Sequence, residues 1–289
     1  MKIKLFSDTT CDLNPERRAE LDITALPLHV MLGETDHLDG VDVTAAQLFD
    51  YANRTHQLPK TAAVSLMDFQ TAFQAALDAG YDEIVYTGLS SELSATYHNA
   101  CLAADALVAK GVDRKRFHLV DSRQLSSGTA QLLLRATDLM AQGADGAQIE
   151  SDMRASLQRL STSFIVDTLT YLHMGGRCSS IAYLAGSMLK IHPQINMVGG
   201  AMQVGEKFRG KLDHCIQQYK QRMVISRLTQ IDPKRIFITS TLPDEHKQAL
   251  GQELEALGYF EEIHIEQAGA TIASHCGPGT IGYLYLLKD

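Results

Sequence analysis

The sequence predicts a two-domain α/β protein: an N-terminal half with a mainly parallel sheet flanked by helices, and an α+β C-terminal half with a mixed or antiparallel sheet. Three observations carry this expectation. Short apolar runs alternate with helical patterns and short connections through the first half, which implies right-handed crossovers and parallel pairing. After about residue 145 the pattern changes to helices interspersed with hairpin-like runs. The length of 289 residues is also about twice that of a usual domain. The expected domains are 1–145 and 146–289, with the final strand free to pack back toward the first. No long linker separates the halves, so they share an interface, and ligand sites favour such places.

The elements follow in chain order. "IKLF" reads as a strand, and "NPERRAEL" as a helix with Asn14 at the N-cap and Pro15 at the first helical position. "ITALPLHVML" is strand-like, and Thr44 with Gln47 forms a capping box for "AAQLFDYANR". Ser65 caps "LMDFQTAFQAALDAG", whose Gly80 suits a left-handed C-terminal position. "DEIVYTGL" and "RFHLVDS" are strands, and the runs that follow them, "SATYHNACLAADALVAKG" and "SSGTAQLLLRATDLMAQG", are helices.

In the second half, "DGAQIESDMRASLQRL" reads as a helix, "STSFIVDT" as a strand, and the surroundings of "GGR" as two short helical pieces. "PQINMVGGAMQVGEKF" is a hairpin, with Gly199 and Gly200 supplying the positive φ values of its turn. A long helix ("KLDHCIQQYKQRMVISRL"), a strand ("KRIFITST"), a helix ("EHKQALGQELEALG") and two strands complete the chain.

Composition excludes several function classes. A formal charge of −8 without gathered Lys and Arg argues against nucleic acid. Five widely spaced cysteines with no C-x-x-C pair read as free thiols of a reducing cytoplasm, and Cys276 as a small buried thiol. The start "MKIKLFSDTT" turns polar too early for a signal peptide, and no window resembles a membrane span, so no membrane insertion is expected. Eleven histidines include no H-x-x-H or H-E-x-x-H pair, so no metal site is expected.

Three hydroxyl-rich loops, "SDTTCDL", "PKTAAVS" and "SSELSATY", fall where the alternation places strand ends. Ligands gather outside the carboxyl ends of parallel strands, where helix N-termini also point. Ser65 and Ser94 each suit simple capping. The two loops together, with Thr61 and Thr96, point toward an anion site. Neither a P-loop nor a G-x-G-x-x-G motif is present. "SDTTCDL" and "SSELSATY" hold no Lys or Arg, so a carboxylate fits better than a phosphate. His275, in "ASHCGPGTIG", reads as a core histidine, a base beside a serine, or an anion donor on a bent loop. Arg177, after Gly175 and Gly176, reads by spacing as an exposed surface charge.

Taken in order along the chain, "FSDTTCDL", "KTAAVS", "SSELSATYHNA", "VDS", "LTYLHMGGR" and "HCGPGTIG" resemble the DegV family. The resemblance implies a non-catalytic two-domain protein that binds one long-chain fatty acid, such as palmitate, between its domains and needs no cofactor. The acyl chain would lie in an apolar tunnel. Matched by motif, Thr61, Ser94 and His275 would hold the carboxylate, with Ala95 and Thr96 beside them. Arg177 would serve a kinase partner, a separate ATP-dependent protein that converts the presented acid to acyl-phosphate. Two departures stand out: Ala62, Ala63 and Val64 replace a Ser-Gln-Pro run, and Ala95 replaces glycine, leaving the head-group site one donor thinner. The alternative is a serine-type hydrolase or acyltransferase using Ser94 and His275. It lacks a G-x-S-x-G elbow.

Overall fold

The computed structural model describes residues 1–178 and 191–289. The first sheet is four-stranded and wholly parallel, in the order β2 (Ile23–Leu26), β1 (Ile3–Asp8), β6 (Glu83–Gly88), β7 (Phe117–Asp121). Its strands are apolar along nearly their whole length because both faces are covered. Phe6, Ile84, Tyr86 and Leu119 pack on Phe69 and Phe73 of α3 (Leu66–Asp78) and on the alanine face of α4 (Thr96–Ala109). Ile3, Leu5, Val85 and Val120 point the other way, onto α5 (Ser127–Ala141) and α6 (Gly146–Ser156). The expected division at 145/146 thus falls just before a helix that packs on the first sheet.

The second sheet has six strands in the order β10 (Ala201–Arg209), β9 (Ile191–Val198), β8 (Leu160–Ile165), β13 (Ile281–Leu287), β11 (Ile231–Ser240), β12 (Glu262–Gln267). Only β11 and β12 run parallel, so the sheet is mixed and mostly antiparallel. The β9–β10 turn uses Gly199 and Gly200 at φ +60° and +91°, as the sequence predicts. One face carries α8 (Leu212–Met223) and α9 (Asp244–Glu255). The other presents Phe237 and Leu284 to the cluster that contains α5. Helix α5 is buried on all sides over Ser127–Leu134 because both sheets lean on it, and its polar side chains there are bonded inside, Ser127 to Thr239, Thr129 to Ser122 and Gln131 to the Leu284 carbonyl. The final strand lies inside the second sheet, between β8 and β11, and touches the first half through α5.

Local rules hold at the helix starts. Asn14 accepts from Arg17 N–H in α1 (Pro15–Glu20), Thr44 and Gln47 close a capping box on α2 (Ala45–Thr55), and Ser65 accepts from Asp68 N–H. Tertiary context alters three expectations. "ITALPLHVML" is two strands, β2 and β3 (His29–Leu32), because Pro27 has no N–H to continue the ladder. β3 pairs instead with β4 (Thr35–Leu38) and β5 (Lys60–Ala62), so Thr61 stands on a strand opposite Val30 rather than in a loop. The stretch before "HCGPG" is a helix, α10 (Ala270–Cys276), where the sequence reading placed a bent loop. Of the two short helical pieces around "GGR", the first is α7 (Thr170–Gly175) and the second lies outside the described residues.

Candidate functional site

Parallel pairing puts the carboxyl ends of β1 and β6 side by side, so the loops after them share one edge of the first sheet. Asp8, wholly buried, ties them together: one carboxylate oxygen accepts from the Thr10 N–H at 3.1 Å, the other from the Leu89 N–H at 2.8 Å. Burial raises its pKa, opposed by those same bonds. The turn of the second sheet closes over this edge, Ser90 donating its hydroxyl to the Gly200 carbonyl at 2.7 Å.

Helix α10 enters between the two halves, packed against α2 and α7. It is seven residues long with no side-chain cap of its own, and Gly269 occupies its N-cap. Two buried aspartates from the first half supply the missing acceptors. Asp39 takes the Ala270 N–H at 2.8 Å and the Thr271 N–H at 3.2 Å, and Asp12 takes the Gly269 N–H at 2.8 Å and the Ser126 hydroxyl at 2.6 Å. Gly277 and Gly279, at φ +79° and +72°, end the helix where side chains would strike Tyr171 and Asp167.

His275 stands in the last turn of α10, and its Nε2 lies 2.8 Å from the Thr61 hydroxyl. Its Nδ1 is shielded from solvent and has no partner among the described residues. That nitrogen faces Gly175, where a β-carbon would come within 2.5 Å of it, so the glycine admits the ring. Desolvation, with the nearby Arg177 charge second, lowers the His275 pKa to about 4. The imidazole is therefore neutral at ordinary pH.

The sign of the resulting pH dependence follows directly. Below its unfolded value near 6.5 the unfolded chain binds a proton that the folded chain refuses, so stability falls as pH drops from about 6.5 to about 4. The loss reaches roughly 3 kcal/mol over that window. Melting curves of wild type and His275→Gln across pH 4–7 should converge toward the acid end, and parallel curves would contradict a neutral ring with a shielded Nδ1.

Thr61, Ser94, Ala95, Arg177 and His275 all line one cavity of about 210 Å³, together with Ala62, Ala63 and an apolar set that includes Leu28, Leu93, Leu125, Met202 and Ile272. The sequence-predicted residues thus come together, with one exception. Thr96 is fully buried behind Ser94: its hydroxyl shares a 2.9 Å bond with the Ser94 hydroxyl, which also accepts the Thr96 N–H at 3.2 Å. Arg177 stays exposed, anchored by a 2.7 Å bond to the Gly175 carbonyl. Ser94 pairs with Thr96 and His275 with Thr61, so the Ser–His hydrogen bond that would activate a nucleophile is not made.

Sequence reasoning passed over Thr271, which also lines the cavity, and the three aspartates that hold the site together. Asp8 and Asp12 belong to the first hydroxyl-rich loop, where Asp12 between the apolar Cys11 and Leu13 is the available signal. Asp39, followed by Gly40, reads locally as a turn residue. Among the described residues no cluster of His, Cys, Asp and Glu could hold a metal ion, no helix is long and apolar enough to cross a membrane, and none of the five cysteines is in a disulfide.

Comparison with known proteins identifies the family and the fold. Residues 2–288 match the family described as "Uncharacterised protein, DegV family". A DegV domain-containing protein of Deinococcus radiodurans is 28% identical over 288 residues, covering 98% of this chain and 97% of its own. A solved structure described as "Fatty Acid Binding of a DegV family Protein from Thermus thermophilus" shares 28% identity at a TM-score of 0.89, covering 99% of this chain and 100% of that one. A stearic acid-binding protein of Eubacterium ventriosum shares the fold at 24% identity, with a TM-score of 0.86 and coverage of 100% and 99%.

Proposed function

Since the chain belongs to the DegV family, we propose that it binds a long-chain fatty acid such as palmitate, with the carboxylate at Thr61 and Ser94 and the acyl chain along the apolar walls of the cavity. The observation that carries this reading is the 2.8 Å contact between Thr61 and a neutral, half-buried His275 at the edge of an apolar cavity. An unpartnered buried nitrogen is tolerated better as a lone pair than as an N–H. The imidazole proton therefore belongs on Nε2, donated to the Thr61 oxygen, and the Thr61 hydroxyl is left free to donate to the ligand. Charge-assisted bonds of this kind return about 1.5–3 kcal/mol each, which offsets part of the cost of burying the carboxylate.

In this reading the protein is a carrier rather than an enzyme, and it presents the acid to a separate ATP-dependent kinase. The exposed guanidinium of Arg177 at the cavity wall suits contact with such a partner or with the phosphoryl group being transferred. The kinship with proteins described as fatty-acid binding supports the ligand class. Ser94 and His275 bond to Thr96 and Thr61 rather than to each other, which weighs against a hydrolase.

Native mass spectrometry of the purified protein should reveal a co-purified fatty acid. His275→Ala should weaken palmitate binding by about tenfold or more, since Thr61 loses the group that orients it. A protein that is both empty and indifferent to added palmitate would remove the basis for the proposal.

A further inference from the structure

We propose that Thr271 is a further ligand-binding residue of this cavity, its hydroxyl donating to the bound carboxylate alongside those of Thr61 and Ser94. This rests on the fatty-acid reading and extends it to a residue outside the motifs quoted above. Thr271 is 3% exposed and lines the cavity, yet its hydroxyl oxygen has no hydrogen-bond partner among the described residues. Threonine and serine on helices commonly give their hydroxyl to the carbonyl one turn back, as Ser274 does to Ala270 at 2.7 Å. For Thr271 the corresponding residue, Gln267, ends β12 and lies outside the helix. A buried hydroxyl without a partner calls for an explanation, and a ligand oxygen in the cavity supplies one.

Placement favours the carboxylate over the rest of the ligand. Thr271 and His275 are one helical turn apart, so their side chains lie on the same face of α10, and both line the same cavity. The Asp39 carboxylate holds the Thr271 N–H, which fixes the backbone there. Across the cavity, the strand and loop carrying Thr61 add only the methyl groups of Ala62 and Ala63. A carboxylate offers about four acceptor positions. Thr61 and Ser94 fill two of them, and His275 is committed to Thr61, so a third direct donor has room and purpose.

The test uses delipidated full-length protein and displacement of a fluorescent fatty-acid probe by palmitate and by methyl palmitate. Thr271→Val keeps the shape and removes the hydroxyl. Its affinity for palmitate should fall by about tenfold or more, and the loss for the uncharged ester should be smaller by about fivefold. The melting temperature of the empty variant should equal or exceed that of wild type. Unchanged palmitate affinity overturns the proposal, as does an equal loss for acid and ester, which would make the role one of packing. A loss confined to 3-hydroxypalmitate would assign the hydroxyl to the chain and also overturn it. Thr271→Ser retains the hydroxyl and should bind palmitate within about threefold of wild type, and a tenfold loss there contradicts the proposal even if the valine variant does not fold. Failure of wild type to bind palmitate at all would strike the fatty-acid reading itself and is told apart by that single measurement.

Discussion

Asp39→Ala should lower the melting temperature of the empty protein by roughly 6–12 °C and take most of the ligand affinity with it. Asp39 is 1% exposed, and its carboxylate accepts from the Ala270 and Thr271 N–H groups and from the Thr9 hydroxyl at 3.2 Å. Truncation leaves two buried N–H groups and one part-buried hydroxyl without this acceptor. With water entering part of the space, a cost of about 3 kcal/mol is expected. Binding suffers because α10 carries His275 to Thr61 and has no cap of its own. Asp39→Asn, which retains one acceptor oxygen, should fall between wild type and alanine. Thermal melts of the three proteins decide the matter: an alanine variant within about 2 °C of wild type would mean that α10 is held by its apolar packing alone.

Affinity for saturated fatty acids should rise by about fourfold for each added methylene, because each contributes about 0.8 kcal/mol when buried. From eight to sixteen carbons this amounts to an upper bound of roughly fifty-thousandfold. The rise should level off where the chain meets the end of the cavity. Leu125, Ile272 and Cys276 form a wall between the main cavity and a second void of about 20 Å³. A plateau that moves to longer chains in Ile272→Ala would place the chain terminus at that wall. Affinities independent of chain length would mean that the cavity does not hold an acyl chain.

The legibility of this protein divides by the range of the interaction involved. Asn14, Thr44 with Gln47, and Ser65 cap the helices that their local sequence marks, because each bond closes within three residues. The β9–β10 hairpin announces itself through Gly199 and Gly200, since a tight turn requires positive φ within the turn itself. The site was partly readable on the same basis. Thr61, Ser94, Ala95, Arg177 and His275 carry motif information, and the fold brings them to one cavity.

What the sequence determined by itself is therefore the alternation of strands and helices, their caps and turns, the absence of a nucleotide motif, and the family to which the motifs point. Only the tertiary structure decided that His275 rides on a helix, that Thr61 stands on a strand, and that Thr271 faces the same cavity. The physical reason is visible in α10. Its seven residues include no capping side chain, and the carboxylates that complete its first turn come from Asp12 and Asp39, 257 and 231 residues earlier in the chain. A helix that short is not stable alone. It exists because two halves of the molecule close around it, and no local pattern records that.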